Sequence, residues 1–192
     1  MAQDVKSRNI HMIRADLDNI PDATLPEPYE FRMYRPGDAD TWFCVWSAAD
    51  HVFNSVALDT FRKEFGADDA LLAEMQFYIC DGSGNDVGTA SAWFGPEEQG
   101  TMRGRVHWVA IAPAAQGRGL AKPLVARVLE RLADLGCDSA VLATQHYRVR
   151  AIAVYLALGF VPDIRSDAER EDWRKVRDAL SGSVLDSIDL GG

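Results

Sequence analysis

The chain has 192 residues, 47% apolar and 26% charged, with a formal net charge of −9. That length suits one compact domain and is short for two, and the acid excess argues against nucleic acid or an acidic membrane as a partner while mildly favouring a cationic substrate such as an amine. No apolar run reaches the roughly 18 residues of a membrane span, and the opening MAQDVKSRN lacks a secretory leader, so a cytoplasmic location is expected.

Residues 1–27 are polar and carry Pro21 and Pro26. They are expected to be an extension holding one short strand near residues 11–17, ahead of a domain over residues 28–192. Residues 28–35 alternate Tyr29, Phe31 and Met33 with Glu30, Arg32 and Tyr34, which predicts a strand. Pro36 and Gly37 then turn the chain and Asp38 is placed to cap a helix, on which Trp42, Val45, Trp46 and Ala49 recur at helical spacing. A second helical patch covers residues 59–73. Three apolar strands follow over residues 75–80, 87–94 and 101–112, joined by short glycine-bearing turns, which predicts an antiparallel meander. Leu124, Val125, Val128, Leu129, Leu132 and Leu135 mark one face of a helix over residues 119–135, closed by Gly136. The apolar strand CDSAVLAT is reached by that helical crossover and so should run parallel to the preceding strand. A helix over residues 149–158 stops at Gly159, Phe160 starts a further strand, and residues 167–180 are helical with Trp173, Val176 and Leu180 on one side. Cys44, Cys80 and Cys137 lie far apart with no CxxC and no nearby histidine, so buried thiols are expected rather than a disulfide or metal framework.

The stretch IAPAAQGRGLAKPL places two glycines where a strand hands over to a helix. A Walker loop would need GxxxxGK[ST], which is absent. A dinucleotide fingerprint would need a third glycine where Lys122 stands and an acid at the end of the next strand, whereas Asp138 is at its start. The segment from Gln116 to Ala121 does match Q/R-x-x-G-x-G/A. A helix N-terminus offers unpartnered N–H groups and the positive end of its dipole, and small residues at 117, 119 and 121 let a pyrophosphate reach them. Pro123 falls in the first turn, where its missing N–H leaves no bond unmade. A plain strand-to-helix turn would also accommodate these glycines.

Further on, RAIAVYLALGF sets Tyr155 on a short helix ending at Gly159 and Phe160. With VAIAPAAQGRGLAKPLVARVL this resembles the GNAT superfamily of acyl-CoA-dependent N-acetyltransferases, over roughly residues 29–161. The resemblance implies an α/β fold with a central mixed sheet of about six to seven strands flanked by helices, and acetyl-CoA as cosubstrate. It implies that Ile111 pairs with the pantetheine amides and that the Val109 N–H faces the acetyl carbonyl. The amides of Gln116, Gly117, Arg118, Gly119, Leu120, Ala121 and Lys122 would hold the pyrophosphate, with Arg118 or Lys122 adding charge. Tyr155 matches the family tyrosine that protonates the departing thiolate; a core tyrosine is the alternative. His107 stands where some members carry a histidine base, two residues before Val109 and so on the same face of a regular strand; a core histidine would fit there too. Arg105 replaces a glutamate base used by others, and Arg148 replaces a common cofactor-binding asparagine.

A clear seventh strand is missing after Phe160, though SVLDSIDL offers a late one. The acceptor would be lined by Trp46, Asp50, His51, Phe53, Asn54 and Trp93, the tryptophans being equally suited to the core. The resulting expectation is a monomer or homodimer moving acetyl to a primary amine of a small molecule or peptide by direct attack in a ternary complex, without a metal. A non-catalytic acyl-CoA-binding or sensor module is the rival.

Overall fold

The computed structural model describes residues 8–49, 56–57, 59–95, 102–180, 182, 184–187 and 190. Among them, seven strands form one mixed sheet: β1 (Asn9–Arg14), β2 (Glu30–Met33), β3 (Gln76–Cys80), β4 (Asp86–Phe94), β5 (Arg103–Ile111), β6 (Ser139–Gln145) and β7 (Val161–Pro162). The helices are α1 (Asp38–Ala49), α2 (Thr60–Phe65), α3 (Asp69–Met75), α4 (Ala121–Asp134), α5 (Val149–Ala157) and α6 (Asp167–Ala179). The order across the sheet is β2-β3-β4-β5-β6-β1-β7. β2 to β5 form the antiparallel meander, and β6 runs parallel to β5, as the α4 crossover requires.

Apolar periodicity explains most of this architecture. The α4 stripe of Leu124, Val125, Val128, Leu129 and Leu132 is fully buried against Phe77, Ile79, Ala90, Ala92 and Val106 of the sheet. At about 25 cal/mol per Å² of apolar area removed from water, such a stripe is the main adhesive of the fold. Gly104 permits the close fit: a Cβ there would lie 2.5 Å from a Leu132 methyl. A second core joins Trp42, Val45 and Trp46 of α1 to Phe61 and Phe65 of α2 and Tyr78 of β3. The predicted patch over residues 59–73 is two helices, broken at Gly66, whose φ of +77° an L side chain resists.

Three features depart from expectation. Among the described residues of SVLDSIDL, Val184–Ser187 is a 3₁₀ turn rather than a strand. A strand does follow Phe160, the two-residue β7, and the seventh strand of the sheet is the short one expected near residues 11–17. β1, inside the presumed extension, lies between β6 and β7 and runs antiparallel to both. Its alternation makes it a half-core strand: Ile10 and Met12 are fully buried. Arg14, also buried, donates to the carbonyls of Leu158, Asp16 and Asp18, so it satisfies the last turn of α5 with a positive charge at the negative end of the helix dipole. Finally, the cysteines are free thiols, but none is buried as expected: Cys80 and Cys137 are half-buried. Cys44 is exposed because it falls outside the inward stripe of Trp42, Val45 and Trp46 on α1.

Candidate active site

The parallel pairing of β5 and β6 is short. Arg103, Gly104 and Arg105 pair with Ser139, Ala140 and Val141, and beyond that point no register links the strands although β5 continues to Ile111 and β6 to Gln145. The strands therefore part, and a cleft of about 1250 Å³ opens between their ends, closed below by the start of α4 and on one side by α5. That volume exceeds the roughly 300–1,000 Å³ of ordinary small-ligand pockets and suits an extended ligand.

A bulge shapes one wall. Thr89 and Ser91 of β4 face Ala110 and His107 of β5, so Ala90 alone opposes both Trp108 and Val109. Trp108 takes φ of +50°, a left-handed conformation rare for a large side chain, and Trp46 Nε1 donates to its carbonyl at 3.2 Å. The extra residue resets the alternation of the strand. Val109 and Ile111 pack toward the α4 core, whereas His107 lies against Phe65 and Trp108 of the α1–α2 core, 5.6 and 5.9 Å between ring centres. His107 and Val109 thus point to opposite faces, against the expectation from a regular strand.

The loop at the other end is built as the spacing suggested. A 3₁₀ turn, Pro113–Ala115, leads to Gly117 and Gly119, both left-handed with φ of +75° and +78°. A Cβ built on either glycine meets no protein atom within 4 Å, so the space over the loop is open. Gln116 Nε2 donates to the Ile111 carbonyl at 3.0 Å, tying the loop to the strand end. The α4 N-terminus follows, with Leu120 anchored in the core and Pro123 in the first turn. Such a turn, with free amides and no Cβ wall, has the build of a pyrophosphate cradle.

Of the predicted residues, Tyr155, His107, Val109, Ile111, Gln116, Gly117, Gly119, Leu120, Ala121, Lys122 and Trp46 all line this one cleft. Arg118 and Trp93 do not; Trp93 packs on Phe65, 5.2 Å between ring centres. Asp50, His51, Phe53 and Asn54 lie outside the described residues. Tyr155 is 7% exposed, and its ring meets Phe160 edge-on. Burial pushes its phenol up to about 12, with the charge of Arg148 pulling the other way, so it is a neutral proton donor at pH 7. Burial and then Arg105 push the His107 imidazole down to about 4, against the pull of Glu64, so it is a neutral ring at pH 7.

Sequence reasoning passed over two features. Glu64 of α2 meets His107 across 43 positions of chain; its only local signal is its place between the buried Phe61 and Phe65, on the flank of an inward stripe. The second is charge. Although the chain carries −9 overall, Arg105, Lys122, Arg148, Arg150 and Arg165 line the cleft, and among the described residues Glu64 is the only acid there. The cleft is thus suited to a polyanion, which net charge alone concealed.

Comparisons agree with this reading of the fold. Residues 38–160 match the model of the acetyltransferase (GNAT) family. Mycothiol acetyltransferases of Pseudarthrobacter chlorophenolicus and Streptomyces bingchenggensis are each 31% identical to the chain, over 79% and 76% of it. The chain spans about half the length of these relatives, 48% and 47% respectively. Among solved structures, a GCN5-related N-acetyltransferase from Sphaerobacter thermophilus superposes with a TM-score of 0.63 at 20% identity, covering 81% of this chain and 48% of that one. AAC(6')-Iy in complex with the bisubstrate analogue CoA-S-monomethyl-acetylneamine gives 0.55 at 20% identity, over 72% of this chain and 94% of that one. With 123 of its residues inside the family model and the two motifs meeting in one cleft, the chain belongs to the acetyltransferase (GNAT) family.

Proposed function

We propose that this domain moves an acetyl group from acetyl-CoA to a primary amine of a small molecule or peptide, the amine attacking the thioester directly in a ternary complex. The observation that carries the reading is the meeting, in one cation-lined cleft, of parted β-strands, an open left-handed glycine loop at a helix N-terminus and a buried neutral tyrosine. Acetyl-CoA, when bound, supplies an activated acyl thioester. The amides from Gly117 to Lys122 hold its pyrophosphate, with Lys122 adding charge. The backbone of Ile111 takes the pantetheine, and the Val109 N–H, beside the bulge, faces the acyl oxygen where negative charge develops. His107 accepts the proton that the attacking nitrogen must lose, and Tyr155 donates to the sulfur as the C–S bond breaks. Trp46, at the α1 wall of the cleft, packs against the acceptor.

The relatives are named for mycothiol, which places a mycothiol-type acceptor on the panel to be tried. The experiment offers the purified chain acetyl-CoA with a panel of amines and measures free CoA with a thiol reagent, alongside melting with acetyl-CoA alone. Amine-dependent CoA release is the expected result. Thermal stabilisation by acetyl-CoA with no release above hydrolysis, across the panel, would reject transfer and leave a binding module.

A further inference from the structure

Glu64 has a singular place in the cleft. It is the only carboxylate among the described lining residues, and a single oxygen, Oε2, lies 3.2 Å from His107 Nε2 and 3.0 Å from Trp108 Nε1. The indole nitrogen only donates, so Trp108 gives its hydrogen to Oε2. A carboxylate only accepts, so the imidazole nitrogen facing it must carry hydrogen as well. In a neutral imidazole the other nitrogen then holds the lone pair. The neighbours leave little choice of partner. Around His107 stand the rings of Phe65 and Trp108, buried Ser91 opposite it on β4, and Arg105 on its own strand. Arg105 opposes positive charge on the ring and Glu64 favours it.

We propose that Glu64 is a positioning residue for the proton transfer: it holds His107 in the Nε2–H tautomer, leaves Nδ1 to accept the proton of the amine, and balances the charge that then arises on the imidazole. The proposal rests on the reading of His107 as the base. During the step an N–H bond of the attacking amine breaks and an N–H bond forms at Nδ1, so the ring gains one positive charge beside Oε2. The carboxylate stays ionised throughout, and no proton passes to it.

The magnitude follows from the partner and its exposure. Hydrogen bonds to charged groups contribute enough to change a rate by about 10- to 150-fold. The Glu64 side chain is 38% exposed, so screening places the effect at the low end, about 10-fold. The test is a cycle of His107→Gln, Glu64→Gln and the double variant, with kcat, acetyl-CoA affinity and melting temperature measured for each. Nitrogen NMR of the wild-type imidazole gives a readout that needs no variant. The expected results are hydrogen on Nε2, a loss in kcat of about 10-fold in Glu64→Gln at unchanged affinity and melting temperature, and less than about 2-fold further loss when it is added to His107→Gln. Hydrogen on Nδ1, or an equal loss from Glu64→Gln in both backgrounds, overturns the positioning role while leaving the base in place. Full kcat in His107→Gln overturns the base reading itself, and the proposal with it.

Discussion

Replacing Tyr155 by phenylalanine separates a proton donor from a packing residue. The phenol lies at about 12, so at pH 7 it is protonated by roughly 10⁵ to one. An ordinary thiol titrates near 8.5, so complete transfer of the phenolic proton to a free thiolate runs uphill by some 3–4 units, about 5 kcal/mol. In the proposed transfer, Tyr155 would therefore work by donating a hydrogen bond to the charge growing on sulfur rather than by surrendering its proton early. A hydrogen bond to a charged partner contributes about 1.5–3 kcal/mol, which predicts a fall in kcat of about 10- to 150-fold. Stability should barely change. The hydroxyl has no hydrogen-bond partner among the described residues, and phenylalanine keeps the ring, its burial and its edge contact with Phe160, at 6.1 Å between centres. The loss of stability should stay within about 0.5 kcal/mol. The assay is CoA release at saturating amine, with acetyl-CoA affinity and melting measured on the same preparation. Full turnover in Tyr155→Phe refutes the reasoning, as does a large drop in melting temperature with turnover per folded molecule preserved.

Other outcomes follow from neighbouring features. Gly119→Val places a β-branched residue at φ of +78° and fills the open space over the loop, so acetyl-CoA affinity should fall by about 10-fold or more and stability by about 1–2 kcal/mol; calorimetry that finds unchanged affinity in a folded variant removes the loop from the cofactor site. With His107 held near 4, the folded protein resists protonation at a pH where the unfolded chain, near 6.5, accepts it. The stabilising contribution is thus whole above about 6.5 and is lost as pH falls toward 4, and His107→Gln should flatten that part of the stability profile; an unaltered profile in the variant contradicts it. The same shift puts the limb of kcat/KM due to His107 near pH 4, so a limb near neutrality should track the ionisation of the amine; one that ignores the amine but vanishes in His107→Gln contradicts the assignment. Arg14→Met leaves the carbonyls of Leu158, Asp16 and Asp18 without their shared donor, and chemical denaturation should reveal a loss of about 2 kcal/mol or more; a loss under about 0.5 kcal/mol means that water replaces the guanidinium.

What could be read from the sequence was what is local. Helix α4, the glycine turn before it and the Gly159 stop of α5 are each specified within a few residues by apolar period, φ requirement and capping. The cleft residues on those elements were legible for the same reason. Pairings across distance were not. Residues near His11 look like a strand, but nothing in their alternation says which neighbours they take. The bulge at Trp108 is invisible because a one-residue insertion in an apolar strand leaves its composition unchanged, so the face of His107 was misjudged. Glu64 reads as one more solvated glutamate until α2 folds onto β5. Net charge averages over the surface and hides a cleft lined by arginines within an acidic chain.

The placement of β1 bears on the order in which the molecule can assemble. Asn9 and Gln145 touch although 136 positions separate them, and Arg14 clasps Leu158 still later in the chain. Closing a loop of that size costs about 4 kcal/mol beyond the constant term, and contacts of such long range slow folding. At roughly 5–20 residues per second of synthesis, β1 leaves the ribosome about 7–30 s before its partner strand exists. The meander and α4 depend on nearer contacts and have no such wait. Until β1 docks, β6 is an open edge able to pair with other chains, and the carbonyl end of the tyrosine helix lacks its guanidinium. The glycine loop before α4 is thus built early, and the end of the Tyr155 helix is secured last, by a strand made well before it.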